Sequence, residues 1–450
     1  MVTPRKPTRP TVEAIDQFCA QFDDLFSRRA AREAFRQYLI GLLLPREHNK
    51  TLTVLAALVP GAERQRLHHF LHAAPWDSAA LNARRLAVWR AHATLGPHAE
   101  GVLIVDETGD RKRGQGIVLA AQQWIGKLNF TANGVVSVTS HWADGTRHVP
   151  LGVRAYRPAG RLPKGKADPA FHTKPELAWE LIQEARVAGI PFRVVVADCI
   201  YGENPQLQSE LWAARLQYVL AVRPHRGSWQ YVEDPKHPPA FTPAEAAQRL
   251  PLKQWQRTVR PDSHGKDLVR YIAELRLGTI YGPDRPFRLI AATEDPIKLK
   301  PDATWFMVTN IPLVEASPAQ VYELYRLRDW IEHYYKPAKH ELGWADFQVR
   351  SEQAIVRHWL LIMLAFTFSL LVGAPSLTEP QPTEPGTMPP DASSGGKIHA
   401  QDRLANHAPT GAPMALPMGT PPAVLAELVH RTTTSRAHRA PRARRPLPSA

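Results

Sequence analysis

Apolar residues recur every three or four positions through the first hundred residues. Ile15, Phe18, Phe22, Leu25 and Phe26 keep that spacing, and Phe35, Leu39, Leu42 and Leu43 continue it. This is the period of one face of an α-helix, and Pro45 stops the run. Further helices are predicted at 52–59, around Leu67, Phe70 and Leu71, and at 78–93. After a disordered 1–11, residues 12–95 therefore read as a small helical domain. Basic residues are scattered over it, which suits DNA binding, although no helix-turn-helix signature stands out.

At Gly101 the pattern changes. Val102-Leu103-Ile104-Val105 is a short apolar run that ends on Asp106 and reads as a buried strand. Strands follow at 133–142 and 147–155, with Ala143-Asp144-Gly145 as the hairpin turn. Residues 174–188 form an amphipathic helix with Pro175 at its start. Val194-Val195-Val196 is the next buried strand, and it leads to Asp198. A helix at 205–215 and a strand at 218–222 complete the segment. Three strands in a meander, then helix, strand, helix, strand, predict a mixed α/β, ribonuclease-H-like core from 96 to 222. Each Asp taken alone also suits a turn or helix cap. Two of them at the ends of buried strands point to a site.

Residues 223–302 break the alternation. Strand-like runs at 253–260, 267–277 and 286–293, with turns at 262–265 and 282–284, predict a β-rich insertion. The core resumes over 303–374, with a strand at 305–309, a long helix opened by Ser317 and another at 352–372. From 375 to 450 the chain holds 14 of its 42 prolines, which argues against a packed domain. One short helix is expected at 423–430. The last stretch, 431–450, carries Arg436, Arg439, Arg442, Arg444 and Arg445 without an acid, a basic arm able to touch phosphates or a plain solvated tail.

Composition sharpens this picture. The chain has 450 residues and a net charge of +14, which points to a polyanionic partner. The longest apolar run, 359–374, contains Thr367 and Ser369 and is short of the roughly 20 residues a membrane span needs, so it reads as a buried helix and the partner as nucleic acid. The two cysteines, Cys19 and Cys199, form neither a disulfide framework nor a zinc cluster, and the N-terminus lacks the apolar stretch of a signal peptide. Both fit a cytoplasmic protein.

The long helix carries the candidate chemistry. Tyr325, Arg328, Glu332 and Lys339 are spaced Y-x2-R-x3-E-x6-K and fall on one helical face. A solvated charged face is the plain explanation. The neighbours Trp330, Ile331, Tyr334 and Tyr335 are costly to expose, however, and one acid among bases and aromatics suits a groove for a metal and a phosphate chain.

These residues resemble the YREK signature of the DDE transposases of bacterial insertion sequences, matched at all four positions. Val105-Asp106-Glu107-Thr108-Gly109 resembles the first-acid motif of the insertion-sequence-701 type, and Ala197-Asp198-Cys199-Ile200-Tyr201-Gly202 its second-acid motif. His69-Phe70-Leu71 with Pro75-Trp76-Asp77 resembles the helical N-terminal region of that family. The resemblance covers roughly 15–373; the proline-rich tail stands outside it. It implies a ribonuclease-H-like fold and an enzyme that cuts DNA at insertion-sequence ends and joins it to target DNA. It further implies that Asp106, Asp198 and Glu332 hold two Mg²⁺ ions, with Mn²⁺ as substitute, Asp106 bridging both. Hard cations prefer such oxygen donors. Arg328 and Lys339 would clamp phosphates with Tyr325 as a hydrogen-bonding partner, and two copies would meet on double-stranded DNA.

Other residues compete. Glu341 and Asp346 lie near Glu332, but Glu341 is off the stripe; Glu107 and Asp110 adjoin Asp106. His68, His69 and His72 lack the Glu of an H-E-x-x-H site, and His333 is given no role. Trp229, Trp255 and Trp305 can stack on an unpaired base or pack in a core; Tyr201 and Gly202 read as packing. Two further readings stay open: a catalytically decayed or repurposed DNA-binding protein, and a nuclease that cuts without joining.

Overall fold

The computed structural model describes residues 13–114, 116–225, 242–261, 267–275, 287–300 and 303–372. The N-terminal 1–11, the turns expected at 262–265 and 282–284, Trp229, and the segment 375–450, on which the helix expected at 423–430 and the basic stretch fall, lie outside the described residues. Five helices open the described chain: α1 (Glu13–Ala20), α2 (Arg29–Leu43), α3 (Leu52–Leu58), α4 (Arg64–His72) and α5 (Ser78–Arg90). Thr51 and Asp77 start α3 and α5 by accepting from the amides of Val54 and Ala79.

Four strands follow, β1 (Val102–Arg111), β2 (Ala121–Ile125), β3 (Phe130–Ala143) and β4 (His148–Ala155). Then come α6 (Lys174–Val187), β5 (Val194–Ala197), α7 (Cys199–Gly202), α8 (Pro205–Ala213), β6 (Tyr218–Val222) and α9 (Pro243–Gln248). Strands β7 (Gln256–Pro261), β8 (Asp267–Leu275), β9 (Arg288–Thr293) and β10 (Thr304–Thr309) precede α10 (Pro318–Arg326), α11 (Trp330–His340) and α12 (Glu352–Val372). Thr173 with Glu176 and Ser317 with Gln320 close capping boxes at α6 and α10, each with a proline in the first turn.

The strands join in one large mixed sheet of order β2-β3-β1-β5-β6-β10-β9-β8-β7, with β4 beside β3. β1 is antiparallel to β3 and parallel to β5, β5 is parallel to β6, and from β6 to β7 every pairing is antiparallel. The strands of 223–302 thus extend the same sheet through β9 and β10. Helices cover both faces, and for that reason β1 and β5 read as unbroken apolar runs. Val102, Ile104, Val194 and Val196 enter a core shared with the N-terminal helices and α10–α12. Leu103, Val105, Val195 and Ala197 point the other way, onto α6 and α8.

Three expectations need correction. Asp106 lies inside β1: pairing with β3 runs on to Arg111, and only the parallel pairing with β5 stops at Val105 and Ala197. The antiparallel ladder satisfies the backbone beyond the apolar run, while the β5 side is open there. β2 was not anticipated, because five residues with two glutamines give little apolar signal. The helix from Ser317 is two helices, α10 and α11, joined by a turn of 3-10 helix over Leu327–Asp329. The tighter turn changes the helical phase, so Tyr325 and Glu332 stand on different elements. α12, by length and composition able to cross a membrane, lies largely buried in the core, as read from the 359–374 run.

Candidate active site

Where β1 loses its parallel neighbour, the sheet opens into a cavity of about 550 Å³. Asp106, Glu107 and Gly109 of β1, Asp198 after β5, and Arg328, Glu332, Lys336 and Lys339 from the α10–α11 region line it. The sheet and one helix thus bring Asp106, Asp198 and Glu332 to a common space from positions 92 and 134 residues apart in the chain. Arg328 and Lys339 line it too; Tyr325 is not among the lining residues and is half-buried within electrostatic reach of Arg328 and Asp198.

The three acids differ in setting. Asp106 is 4% exposed; its Oδ2 accepts from Arg328 Nη2 at 2.7 Å and its Oδ1 from the Glu107 amide at 2.7 Å. Burial pushes its pKa up, Arg328 opposes that, and the charge of Asp198 adds to it. Asp198 is half-buried and caps α7, its Oδ1 accepting from the Ile200 amide at 2.9 Å. The cap fixes its carboxylate toward the cavity. Glu332 stands exposed at the mouth.

The bases are engaged unequally. Arg328 is tied to Asp106; burial works against its charge, but Asp106 and the other acids raise its pKa above the ordinary value. Lys339 is 9% exposed, paired with Asp110 at 2.9 Å and donating to the Gly109 carbonyl at 3.1 Å. Lys336 is exposed and makes no ion pair among the described residues. Lys174, at the start of α6, pairs with Glu107 at 2.6 Å and lies over the Tyr156 ring. Burial raises the Glu107 pKa and Lys174 holds it back. Tyr335, which also lines the cavity, shares a hydrogen bond with the Thr139 hydroxyl at 2.6 Å.

Of the competing acids, Glu107 shares the cavity and is held by Lys174, whereas Asp346 and Asp110 are engaged with other groups. Asp346 accepts from Arg46 at 2.8 Å and from the Lys50 amide, and Asp110 belongs to Lys339. His68 and His72 stack on the exposed face of α4. Trp255 is 7% exposed, and Trp305 carries Arg270 on its face, so neither lines the cavity. The sequence reading missed Lys336, which helical spacing from Glu332 places on the same face, and Trp124, on the unanticipated β2. The Glu107–Lys174 pair joins residues 67 apart and has no local signature.

Among the described residues, no three Asp, Glu, His or Cys side chains are gathered closely enough to hold an ion. The donor chemistry nevertheless fits a hard cation. Asp106, Asp198 and Glu332 face one cavity, the charge of Asp198 raises the proton affinity of Asp106, and the Arg328 guanidinium supplies positive charge there.

Residues 21–267 match a family model described as DDE superfamily endonuclease, a span that includes Asp106 and Asp198. Over 350 residues the chain is 33% identical to the probable transposase for insertion sequence element IS701 of Microchaete diplosiphon, covering 78% of this chain and 85% of that protein. The chain belongs to the DDE superfamily of endonucleases, among the transposases of insertion-sequence-701 type.

Proposed function

We propose that the chain cuts DNA at the ends of its own insertion sequence and joins the freed 3′ ends to target DNA. The observation that carries this reading is the convergence of Asp106, Asp198 and Glu332 on one cavity rimmed by Arg328, Lys336 and Lys339. The reading includes a ribonuclease-H-like core formed by 96–222 and 303–374. The strand order β4-β3-β1-β5-β6, with only β3 antiparallel to its neighbours, supports it. Residues 223–302 are its β-rich insertion, and the helices of 13–90 offer a surface for DNA.

Asp106, Asp198 and Glu332 would hold two Mg²⁺ ions, with Mn²⁺ able to replace them, which supply the Lewis acidity that phosphodiester cleavage needs. The chain's own groups do the rest. Arg328 neutralises Asp106 in the free protein and is positioned to turn to a phosphate oxygen. Lys336 is free to pair with the DNA backbone, and Lys339 holds β1 against α11. Tyr325, close to Arg328, would serve as a hydrogen-bonding partner for the DNA. Synapsis of two ends calls for two copies on double-stranded DNA.

A labelled duplex carrying the element's own end tests this with Mg²⁺ or Mn²⁺. Wild type should nick and join it, and Glu332→Ala should lose both steps to background at unchanged DNA binding. Binding without cleavage by wild type would instead favour a decayed DNA-binding protein; nicking without joining, a nuclease. Cleavage surviving in Glu332→Ala would remove Glu332 from the triad.

A further inference from the structure

Trp124 is the most solvent-exposed tryptophan among the described residues, at 51%, and it lines the cavity with the three acids. An exposed indole on an edge strand is not remarkable alone, since isolated surface aromatics are common. Its mounting distinguishes it. The next residue, Ile125, is 1% exposed and fills a notch left by two glycines of the neighbouring strands. A Cβ at Gly134 would meet Ile125 Cδ1 at 2.5 Å, and one at Gly109 would meet its Cγ2 at 3.2 Å. The preceding residue, Gln123, donates to the Gly134 carbonyl at 2.6 Å. Both flanks of Trp124 are therefore fixed to β3 and β1, and the ring between them is held out over the cavity on a rigid strand.

The other described tryptophans are buried or half-buried. Trp76 and Trp305 carry the guanidinium groups of Arg357 and Arg270 on their faces. Arg328 and the exposed Lys336 line the same cavity. A flat aromatic face beside cations able to follow a phosphate chain is the pattern by which proteins hold single-stranded nucleic acid, because every base has a π-face.

We propose that Trp124 is the stacking platform for one unpaired base of the DNA strand next to the scissile phosphate. It holds that strand in register with the acids. The inference rests on the DNA-cleavage reading above and adds a positioning residue to it.

The test is equilibrium binding without divalent metal, followed by fluorescence anisotropy. The probes are forked duplexes bearing the element's end, intact or with a single abasic nucleotide stepped across the cleavage point. On intact DNA, Trp124→Ala should weaken binding on the order of tenfold, the range of base–aromatic stacking, and Trp124→Phe should retain most of the affinity. On one abasic probe, and only there, the three proteins should bind alike. Wild type alone should lose the same factor on that probe, so the test stands even where the alanine variant folds poorly. Wild-type affinity in Trp124→Ala, or an equal loss on every abasic probe, overturns the stacking role. If wild type binds none of these probes, the DNA reading falls, and the platform with it.

Discussion

Lys336 and Lys339 lie within one turn of α11, yet their surroundings give them different parts. Lys339 is nearly buried, and its ammonium is spent on Asp110 and the Gly109 carbonyl. Removing one partner of such a buried pair strands the other charge, which costs about 3 kcal/mol. Lys339→Ala should therefore lower the urea midpoint by about that free energy divided by the denaturant slope m. Lys336→Ala should leave the midpoint unchanged and reduce the slope of log Kd against log salt by about 1, the signature of one lost phosphate contact. The converse result would exchange the two roles. At this scale the sequence was a guide to which residues share the cavity and a poor one to the state of their charges. Asp106, Asp198, Arg328, Glu332 and Lys339 all reach the cavity. Spacing along a helix places Lys339 on the right face, but whether its charge is free depends on Asp110, more than two hundred residues away in sequence. A charge on a helix face looks the same whether water or a distant carboxylate neutralises it.

At the scale of elements, the short helix α7 aims Asp198. Its last residue, Gly202, has no positive φ, so what it supplies is room. A Cβ there would meet the Ala221 carbonyl oxygen at 1.9 Å, a backbone atom of β6 that cannot turn aside. The preceding Tyr201 is fully buried. Gly202→Ala must push α7 off the sheet, and overpacking of this kind costs about 1–3 kcal/mol. We expect a lower thermal midpoint and a loss of nicking larger than the loss of folded protein, since the cap on Asp198 moves with the helix. Nicking that falls only in step with folding would show that α7 tolerates the shift. Elements with strong local signals were legible: the capping boxes at Thr173 and Ser317 start helices where expected. The break at Leu327–Asp329 and the strand β2 were not. Leu-Arg-Asp has no residue that forbids an α-helix, and β2 owes its existence to pairing with β3, a tertiary event that leaves little trace in Ala-Gln-Gln-Trp-Ile.

Across the whole molecule, the N-terminal helices and the last helix share one core, although three hundred residues separate them. The change of period at Gly101 marks a change of element type, and periodicity carries no information on which apolar face meets which. Arg46 donates to the carbonyls of Lys339 and His340 and to Asp346, so the N-terminal region also braces the end of α11. The link with the clearest chemical signature is His358 on α12. Its Nε2 faces the Gly343 carbonyl at 3.0 Å and its Nδ1 faces the Tyr38 hydroxyl of α2 at 2.7 Å. A carbonyl can only accept, so Nε2 carries a proton, and in the neutral ring that burial favours Nδ1 accepts from the Tyr38 hydroxyl. Burial, against the help of the Gly343 carbonyl and with the nearby Lys112 adding, pulls its pKa from 6.5 down to about 4. Unfolded chains then bind a proton that the folded protein refuses. The stability contributed by the neutral ring is fully present above pH 6.5 and is lost as pH falls from 6.5 toward 4, by on the order of 3 kcal/mol at full extent. His358→Gln should lower stability at pH 7.5, because Tyr38 and Gly343 lose well-aligned partners, yet flatten the fall between pH 7 and pH 5. Thermal midpoints of both proteins across that interval would decide it. Parallel pH slopes would place the acid sensitivity in other groups, with the buried His148, its pKa pulled down to about 3, the next to replace.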